Sequence, residues 1–414
     1  MSEQARSYYK NFALLLTGNS ISQLIPFLLA PVIGRMFSPA QLAVQENFLA
    51  IVALIAIIAA GRYEMAFVLP KPNYRANNLF TLALGILVCA SAVSLVLLFF
   101  PEKISEWYHD EKLGAFMIYV APAVLLIGLN NILIQWMVRL GKYSWVSAAK
   151  VIQSCMQYVG YSLLGYWGWG IKGLIISIII GNLLPAITLL LPAFKNFNRH
   201  DITAKEMISV AKEQKDFPII NSLHAFTDIF ATQFILFWLI TRNYGPAALG
   251  LFAIMTRYMR APLNLIGSAV AQLYYREASN AKNENRSIIP IFNKSVKIAA
   301  LTTAPLLLII FIFGPDIFAV YLGEQWREAG EYARIMSPAL LFMFILSPVS
   351  STPLICHKQK SAYILSSGAH VWCLASIFIG TGLNYEIKTT LIFYSASTLV
   401  FYLGLLLWYR SLIK

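Results

Sequence analysis

About twelve runs of roughly twenty apolar residues follow one another along this 414-residue chain, and each is long enough to cross a bilayer as a helix. They fall near 11–34, 43–69, 76–100, 113–138, 144–166, 171–194, 217–241, 246–275, 288–313, 332–356, 360–383 and 388–409. In lipid every backbone N–H and C=O needs a partner from the protein itself, so runs of this length read as helices. The expected fold is therefore an all-α integral membrane protein with about 12 transmembrane helices. A water-soluble fold is excluded: 58% of the residues are hydrophobic and 12% are charged, against about 25% charged in a soluble domain. The first run lacks a small-residue cleavage site and reads as a retained helix.

Arg35-Met36-Phe37-Ser38-Pro39-Ala40-Gln41-Leu42 returns as Arg242-Asn243-Tyr244-Gly245-Pro246-Ala247-Ala248-Leu249, an offset of 242 − 35 = 207 residues, half the chain. Arg, an aromatic, Pro, Ala and Leu keep register, and each copy sits between two apolar runs. An internal repeat of this kind in a membrane chain implies two equivalent halves and points to a transporter. The charged connection 195–216 joins the sixth run to the seventh. The expected division is a lobe of helices 1–6 over residues 1–200 and a lobe of helices 7–12 over 201–414. The octet itself reads as an outer-turn anchor.

Charge is sorted by side. The N-terminus, the even-numbered connections and the C-terminus hold 21 Lys and Arg, with Lys142 and Lys150 both counted in the fourth connection; the odd connections hold 8. The positive-inside rule then puts both termini in the cytoplasm. The net charge of +13 belongs to the cytoplasmic face, where anionic lipids lie, and gives no support to nucleic-acid binding. The four cysteines lie in apolar runs without CxxC spacing, so neither a disulfide framework nor a metal site is indicated.

Twenty-one and eight leave three basic residues, Arg62, Arg257 and Arg260, which lie within helices together with three acids, Glu46, Glu64 and Asp228. A charge at the bilayer centre costs about 2.5–3.5 kcal/mol on insertion scales, so such residues face a partner or a wet cavity. Arg257, Arg260 and Asn264 are spaced i, i+3, i+7 on helix eight, and Asn221, His224 and Asp228 repeat that spacing on helix seven. Counted from the second octet, Asp228 and Arg260 lie at matching depth. This pattern fits a cationic cavity for an anionic substrate, or a plain Asp228–Arg260 lock between two helices. Glu64 is followed by five apolar residues and reads as protonatable. Asn19 and Gln23 line helix one; Gln153 and Gln157 line helix five, where amides usually join helices.

Asn11-Phe12-Ala13-Leu14-Leu15-Leu16-Thr17-Gly18-Asn19-Ser20-Ile21-Ser22-Gln23 and Gly61-Arg62-Tyr63-Glu64-Met65-Ala66-Phe67-Val68-Leu69-Pro70 carry a family resemblance. The chain resembles the Wzx-type polysaccharide flippases of the multidrug/oligosaccharidyl-lipid/polysaccharide exporter superfamily. In the second segment Tyr-Glu-x-Ala is the feature shared with that family. The resemblance implies two six-helix lobes around a central cavity in the bacterial inner membrane. It implies movement of undecaprenyl-pyrophosphate-linked oligosaccharide units for O-antigen or related surface polysaccharide. Arg62, Arg257 and Arg260, with Asn264 and Asn19, would contact the substrate, since guanidinium groups suit phosphate oxygens. No bond is broken, so no catalytic residue is required. No Walker motif for ATP occurs. Coupling to protons or sodium is the expectation, with Asp228, Glu64 and His224 as candidate ion sites and no other cofactor. Expected partners are the lipid-linked oligosaccharide, membrane lipids, and a polysaccharide polymerase with other assembly proteins.

Two other classes fit less well. A multidrug antiporter of the same superfamily would expel organic cations, and buried acids should then dominate. A membrane polymerase or ligase needs a sizeable outer loop with catalytic side chains, and the outer loops are short. Flippases of lipid-linked peptidoglycan precursors usually have fourteen helices.

Overall fold

The computed structural model of the chain describes the backbone of residues 3–195, 197–198 and 201–413. Side chains are described from Thr17 onward, except at residues 196, 199–200, 220, 264–266, 268–269 and 414. Among these residues all regular structure is helical. In order the helices are α1 Glu3–Met36, α2 Pro39–Ala56, α3 Asn73–Ser94, α4 Pro101–Tyr108, α5 Val120–Arg139, α6 Tyr143–Tyr166, α7 Gly170–Phe194, α8 Ala204–Glu213, α9 Ser222–Ile229, α10 Leu236–Asn283, α11 Ile289–Leu322, α12 Arg327–Leu346, α13 Thr352–Ile355, α14 Gln359–Gly382 and α15 Ile387–Leu412. Among the described residues nine segments are long and apolar enough to cross a membrane. One of them, Phe217–Leu263, runs over a break at Gly245 and so holds two helices. With the less apolar α1 and α6 the helices of spanning length come to twelve. The chain is a multi-pass membrane protein.

The repeated octet is a helix–helix turn both times. α1 stops at Met36 and α2 starts at Pro39. In the second copy Gly245, at φ 85° and ψ 165°, breaks α10 just before Pro246. Proline suits the first residue of a helix because the N–H it lacks would have no helical partner there.

Two expected elements change. The run 43–69 does not make one helix. α2 ends at Ala56, and Gly61 and Arg62 both take left-handed φ values of 58° and 56°, a conformation that stops a helix. Arg62 and Glu64 therefore sit outside the helix in which they were expected, next to a 3-10 turn over Tyr63–Ala66. The acidic connections near 101–112 and 314–331 are also largely helical. α4 fills one, and α11 and α12 leave just residues 323–326 between them in the other.

The chain folds as two compact units. The amino-terminal unit holds residues 1–37 and Gln41–Trp238; the carboxy-terminal unit holds Ser38–Ala40 and Leu239–Lys414. The division falls inside the seventh spanning helix, and the connection around α8 packs with the amino-terminal unit.

That packing is specific. Arg75 at the start of α3 pairs with Glu206 at 2.9 Å and Glu213 at 2.6 Å on α8. Asn77 and Asn78 donate to Asp201, and Asn78 accepts from the Thr203 N–H. Thr203 caps α8 by accepting from the Glu206 N–H. Nearby, Phe67, Phe80, Trp136, Phe194 and Phe197 form an aromatic cluster with centroid separations from 4.6 to 6.3 Å. Arg139 ties the cluster down by donating to the Phe67 and Pro70 carbonyls.

The carboxy-terminal unit has a core around Tyr274, Phe292, Leu346, Val349, Leu405 and Tyr409. Its helices come close through small residues. A Cβ on Gly330 would lie 2.4 Å from the Gly314 carbonyl oxygen, so α11 and α12 touch backbone to backbone there.

Candidate functional site

Helix α6 is the polar spine of the amino-terminal unit. Lys150, Gln153, Ser154, Gln157 and Tyr161 are spaced i, i+3, i+4, i+7 and i+11, which sets them along one side of the helix. Each reaches another helix or a neighbour on its own. The Lys150 ammonium donates to Asn19 Oδ1 on α1 at 2.8 Å. Ser154 Oγ donates to the Ser22 carbonyl at 2.7 Å. Gln153 Nε2 donates to Asn182 Oδ1 on α7 at 2.9 Å, and Asn130 on α5 donates to the same side chain at 3.2 Å. Gln157 and Gln45 both donate to the Tyr161 hydroxyl, at 2.6 and 2.8 Å. The seam is not saturated: Gln45 Oε1 and Asn130 Oδ1 are buried without a hydrogen-bond partner. The amides Gln153 and Gln157 thus join helices as their spacing predicts.

Lys150 was missed by counting it as a loop charge. It lies seven residues into α6, about 10 Å from the helix start. Its place on one side with Gln153 and Gln157 was the signal available. Among the described residues it has one hydrogen bond and no ion pair. α5, α6, α7 and residues 17–36 of α1 contain no Asp or Glu.

Arg62 and Glu64 form a loose pair at 4.0 Å. Arg62 Nε and Glu64 Oε2 are buried with no hydrogen bond. Burial pushes the Glu64 carboxyl up; a backbone N–H and the Arg62 charge pull it down and are outweighed. Tyr63 between them donates to the Ala211 carbonyl of α8 at 3.3 Å. These residues thus brace the loop against α8.

His224 and Asp228 lie on α9, between two π-helical turns over Phe217–Asn221 and Phe230–Ile235. Both are exposed. π turns recur at functional positions in helices because they rotate side chains off the α-helical register. The opposite side of this helix stacks Phe226, Phe230 and Phe234 at 5.6 Å intervals. Trp238 continues the row and donates to the Trp107 carbonyl at 2.9 Å.

In the carboxy-terminal unit, Arg257 is half-buried and Arg260 exposed on the part of α10 that follows Gly245. The Arg260 charge acts on the Tyr394 hydroxyl of α15. The stretch 246–276 carries no acid at all. The Asn264 side chain lies outside the described residues. Among the described residues no group of three or more His, Cys, Asp and Glu could hold a metal ion.

The amino-terminal unit thus has a polar spine, and the carboxy-terminal unit carries Arg257 and Arg260 on the acid-free stretch 246–276 of α10. The sequence profile of a family described as "Polysaccharide biosynthesis protein" matches residues 32–331, well over half of the chain. The chain belongs to that polysaccharide biosynthesis family. Solved structures show the fold of this family member. A lipid II flippase MurJ in an inward closed conformation superposes with a TM-score of 0.76 at 15% identity, covering 95% of this chain and 87% of that one. An inward-facing multidrug resistance MATE transporter of the MOP superfamily gives 0.67 at 14% identity, covering 94% of each. A MOP superfamily transporter from Pyrococcus furiosus, whose binding pocket is described as of reverse polarity, gives 0.61 at 14% identity, covering 98% and 95%. No curated protein matches the chain. At these identities the structural likeness establishes a shared transporter fold, and substrate choice has to be argued from this family member's own charges.

Proposed function

We propose that this protein is a flippase for polyprenyl-diphosphate-linked oligosaccharides, moving them from the inner to the outer leaflet of the bacterial cytoplasmic membrane for surface polysaccharide assembly. Undecaprenyl pyrophosphate is the expected carrier, with both termini in the cytoplasm and a polymerase among the partners. The observation that carries the reading is the pair Arg257 and Arg260 on the acid-free stretch 246–276 of α10 in a member of a polysaccharide biosynthesis family. Guanidinium forks match the oxygens of a phosphate or diphosphate. The substrate crosses by alternating access of the two units. Arg62 and Asn19, together with Asn264, are further candidate contacts, and the hydrocarbon tail stays in lipid. Asp228, His224 and Glu64 are the candidates for coupling to a proton or sodium gradient.

The MATE likeness supports a second reading, an organic-cation antiporter. A cation would need acids where this chain has arginines. Proteoliposomes with a fluorescent polyprenyl-diphosphate oligosaccharide decide between the two. Wild-type protein should expose the lipid to an outside quencher, and Arg257→Ala/Arg260→Ala should lose this while inserting normally. Full activity of the double variant, or efflux of an organic cation in place of lipid movement, would sink the flippase assignment.

A further inference from the structure

Lys150 has a different character from the other internal cations of its unit. Arg139 donates to two carbonyls and to Asn73, and Arg62 faces Glu64. Lys150 is half-buried and uses one of its three N–H bonds. Its partner Asn19 is also half-buried; the Asn19 carboxamide oxygen takes the lysine proton, and its NH2 has no protein partner among the described residues.

The backbone holds these two side chains side by side. Gly18 lets α1 and α6 meet, since a Cβ there would lie 2.5 Å from Ser147 Cβ. One residue on from Gly18 is Asn19, and three on from Ser147 is Lys150. A turn further, Ser154 bonds to the Ser22 carbonyl and locks the register. A lysine near a helix end can run its stem toward the membrane surface. Lys150 instead turns across to α1, where Asn19 orients it. An ammonium and an amide together offer four unused N–H donors on neighbouring helices, with no acid in α6 or in residues 17–36 of α1. Donors without acceptors, at a charge that is costly in a membrane, are matched by an anion.

We propose that Lys150 and Asn19 form a phosphoryl-binding site in the amino-terminal unit, taking the diphosphate of a polyprenyl diphosphate. Asn19 acts as the positioning residue for the ammonium. The proposal rests on the flippase reading for the identity of the lipid, and on the α1–α6 geometry for the site. The specific claim is that Lys150, until now a count in a topology rule, contacts substrate.

Detergent-purified full-length protein would be titrated with undecaprenyl diphosphate, undecaprenol and inorganic diphosphate, with binding read by native mass spectrometry. Wild type should bind the diphosphate lipid well above the alcohol. Lys150→Ala should weaken the diphosphate lipid at least tenfold and leave the alcohol unchanged, and Lys150→Arg should restore most of the affinity. Asn19→Asp, which gives the ammonium an internal counter-charge, should weaken it similarly. Tenfold weaker inorganic diphosphate in the same variants, without an effect on the lipid, would reassign the site to a free anion and overturn the lipid proposal. If Lys150→Ala fails to fold, Asn19→Asp alone decides, and unchanged affinity there overturns the site. Wild-type binding through Lys150 without lipid movement in proteoliposomes would remove the flippase reading and keep the site. Normal movement and affinity in Lys150→Ala would remove the site and keep the reading.

Discussion

The helices of the amino-terminal unit are joined by side-chain amides, with Asn19, Gln45, Asn130, Gln153, Gln157 and Asn182 all bonding across or along the α6 seam. In the carboxy-terminal unit the described contacts between helices use hydroxyls, small residues and two arginines of α12, Arg327 on Asp316 and Arg334 on the Phe311 and Ile312 carbonyls of α11. Tyr244 meets Thr390 at 2.7 Å, Tyr274 meets Thr352 at 2.6 Å, and Gly314 meets Gly330. Amides have both donors and acceptors in a fixed plane, so they set the register of several helices at once and leave sites where one group is unmatched. Hydroxyls rotate to suit and leave few. The first unit is therefore where an unmatched donor can be held in place, and Lys150 with Asn19 is such a place. The second unit presents its charge differently, on one long helix and with no amide scaffold described around it.

The comparison can be broken most severely in the carboxy-terminal unit. There the Pro39 carbonyl oxygen lies 1.9 Å from where a Gly250 Cβ would be. Gly250→Val should cost about 3 kcal/mol or more, because backbone must move to admit it. Gly404→Val, where a Cβ meets nothing, should be close to neutral. Size-exclusion profiles and melting temperatures in detergent would show the contrast, and equal behaviour of the two would refute close packing at Gly250.

Next comes the amide seam. Asn182→Ala strips the acceptor from Gln153 and the weaker of two acceptors from Asn130, which keeps the Asn182 carbonyl, and should cost about 1–3 kcal/mol. Thr352→Val in the other unit should cost about 1 kcal/mol. A larger loss at Thr352 would reverse the assignment of where buried polarity matters.

Glu64 tests the loop that braces α8. Its carboxyl is raised on folding, so between its unfolded and folded values the native state binds the extra proton. Its contribution is thus most favourable at low pH and declines as pH rises through the raised value. Glu64→Gln should remove that decline and melt higher than wild type at neutral pH. A wild-type melting temperature that rises with pH through the weakly acidic range, with the rise absent in Glu64→Gln, would show the opposite sign. The smallest effect is expected at Arg75→Ala. It breaks two partly exposed ion pairs to α8, worth about 1 kcal/mol or less and fading in high salt. A loss that is large and indifferent to salt would mean that α8 is held by something other than these charges.

Much of the architecture was legible in the residues. Apolar run length reports partition into lipid, so all twelve spanning helices could be located. Pro39 and Pro246 marked both repeated turns, because proline suits a helix start. Gln153 and Gln157 were legible as helix joiners from spacing alone. The end of α2 was not, since residues 48–61 are apolar throughout and hydropathy does not register that Gly61 and Arg62 turn left-handed. Nor was the docking of α8, a short polar helix whose partners Arg75, Asn77 and Asn78 lie over a hundred residues earlier.

By itself the sequence determined the solvent and the helices, because those follow from local hydrophobicity and turn chemistry. Tertiary structure alone decided which polar residues meet. Lys150 belongs to a loop count or to a binding site depending on how α1 lies on α6, and that is set by a missing Cβ at Gly18. Glu64 becomes a buried carboxyl through a loop that folds back onto its own unit. Such pairings depend on contacts between segments far apart in the chain, and no local pattern encodes them.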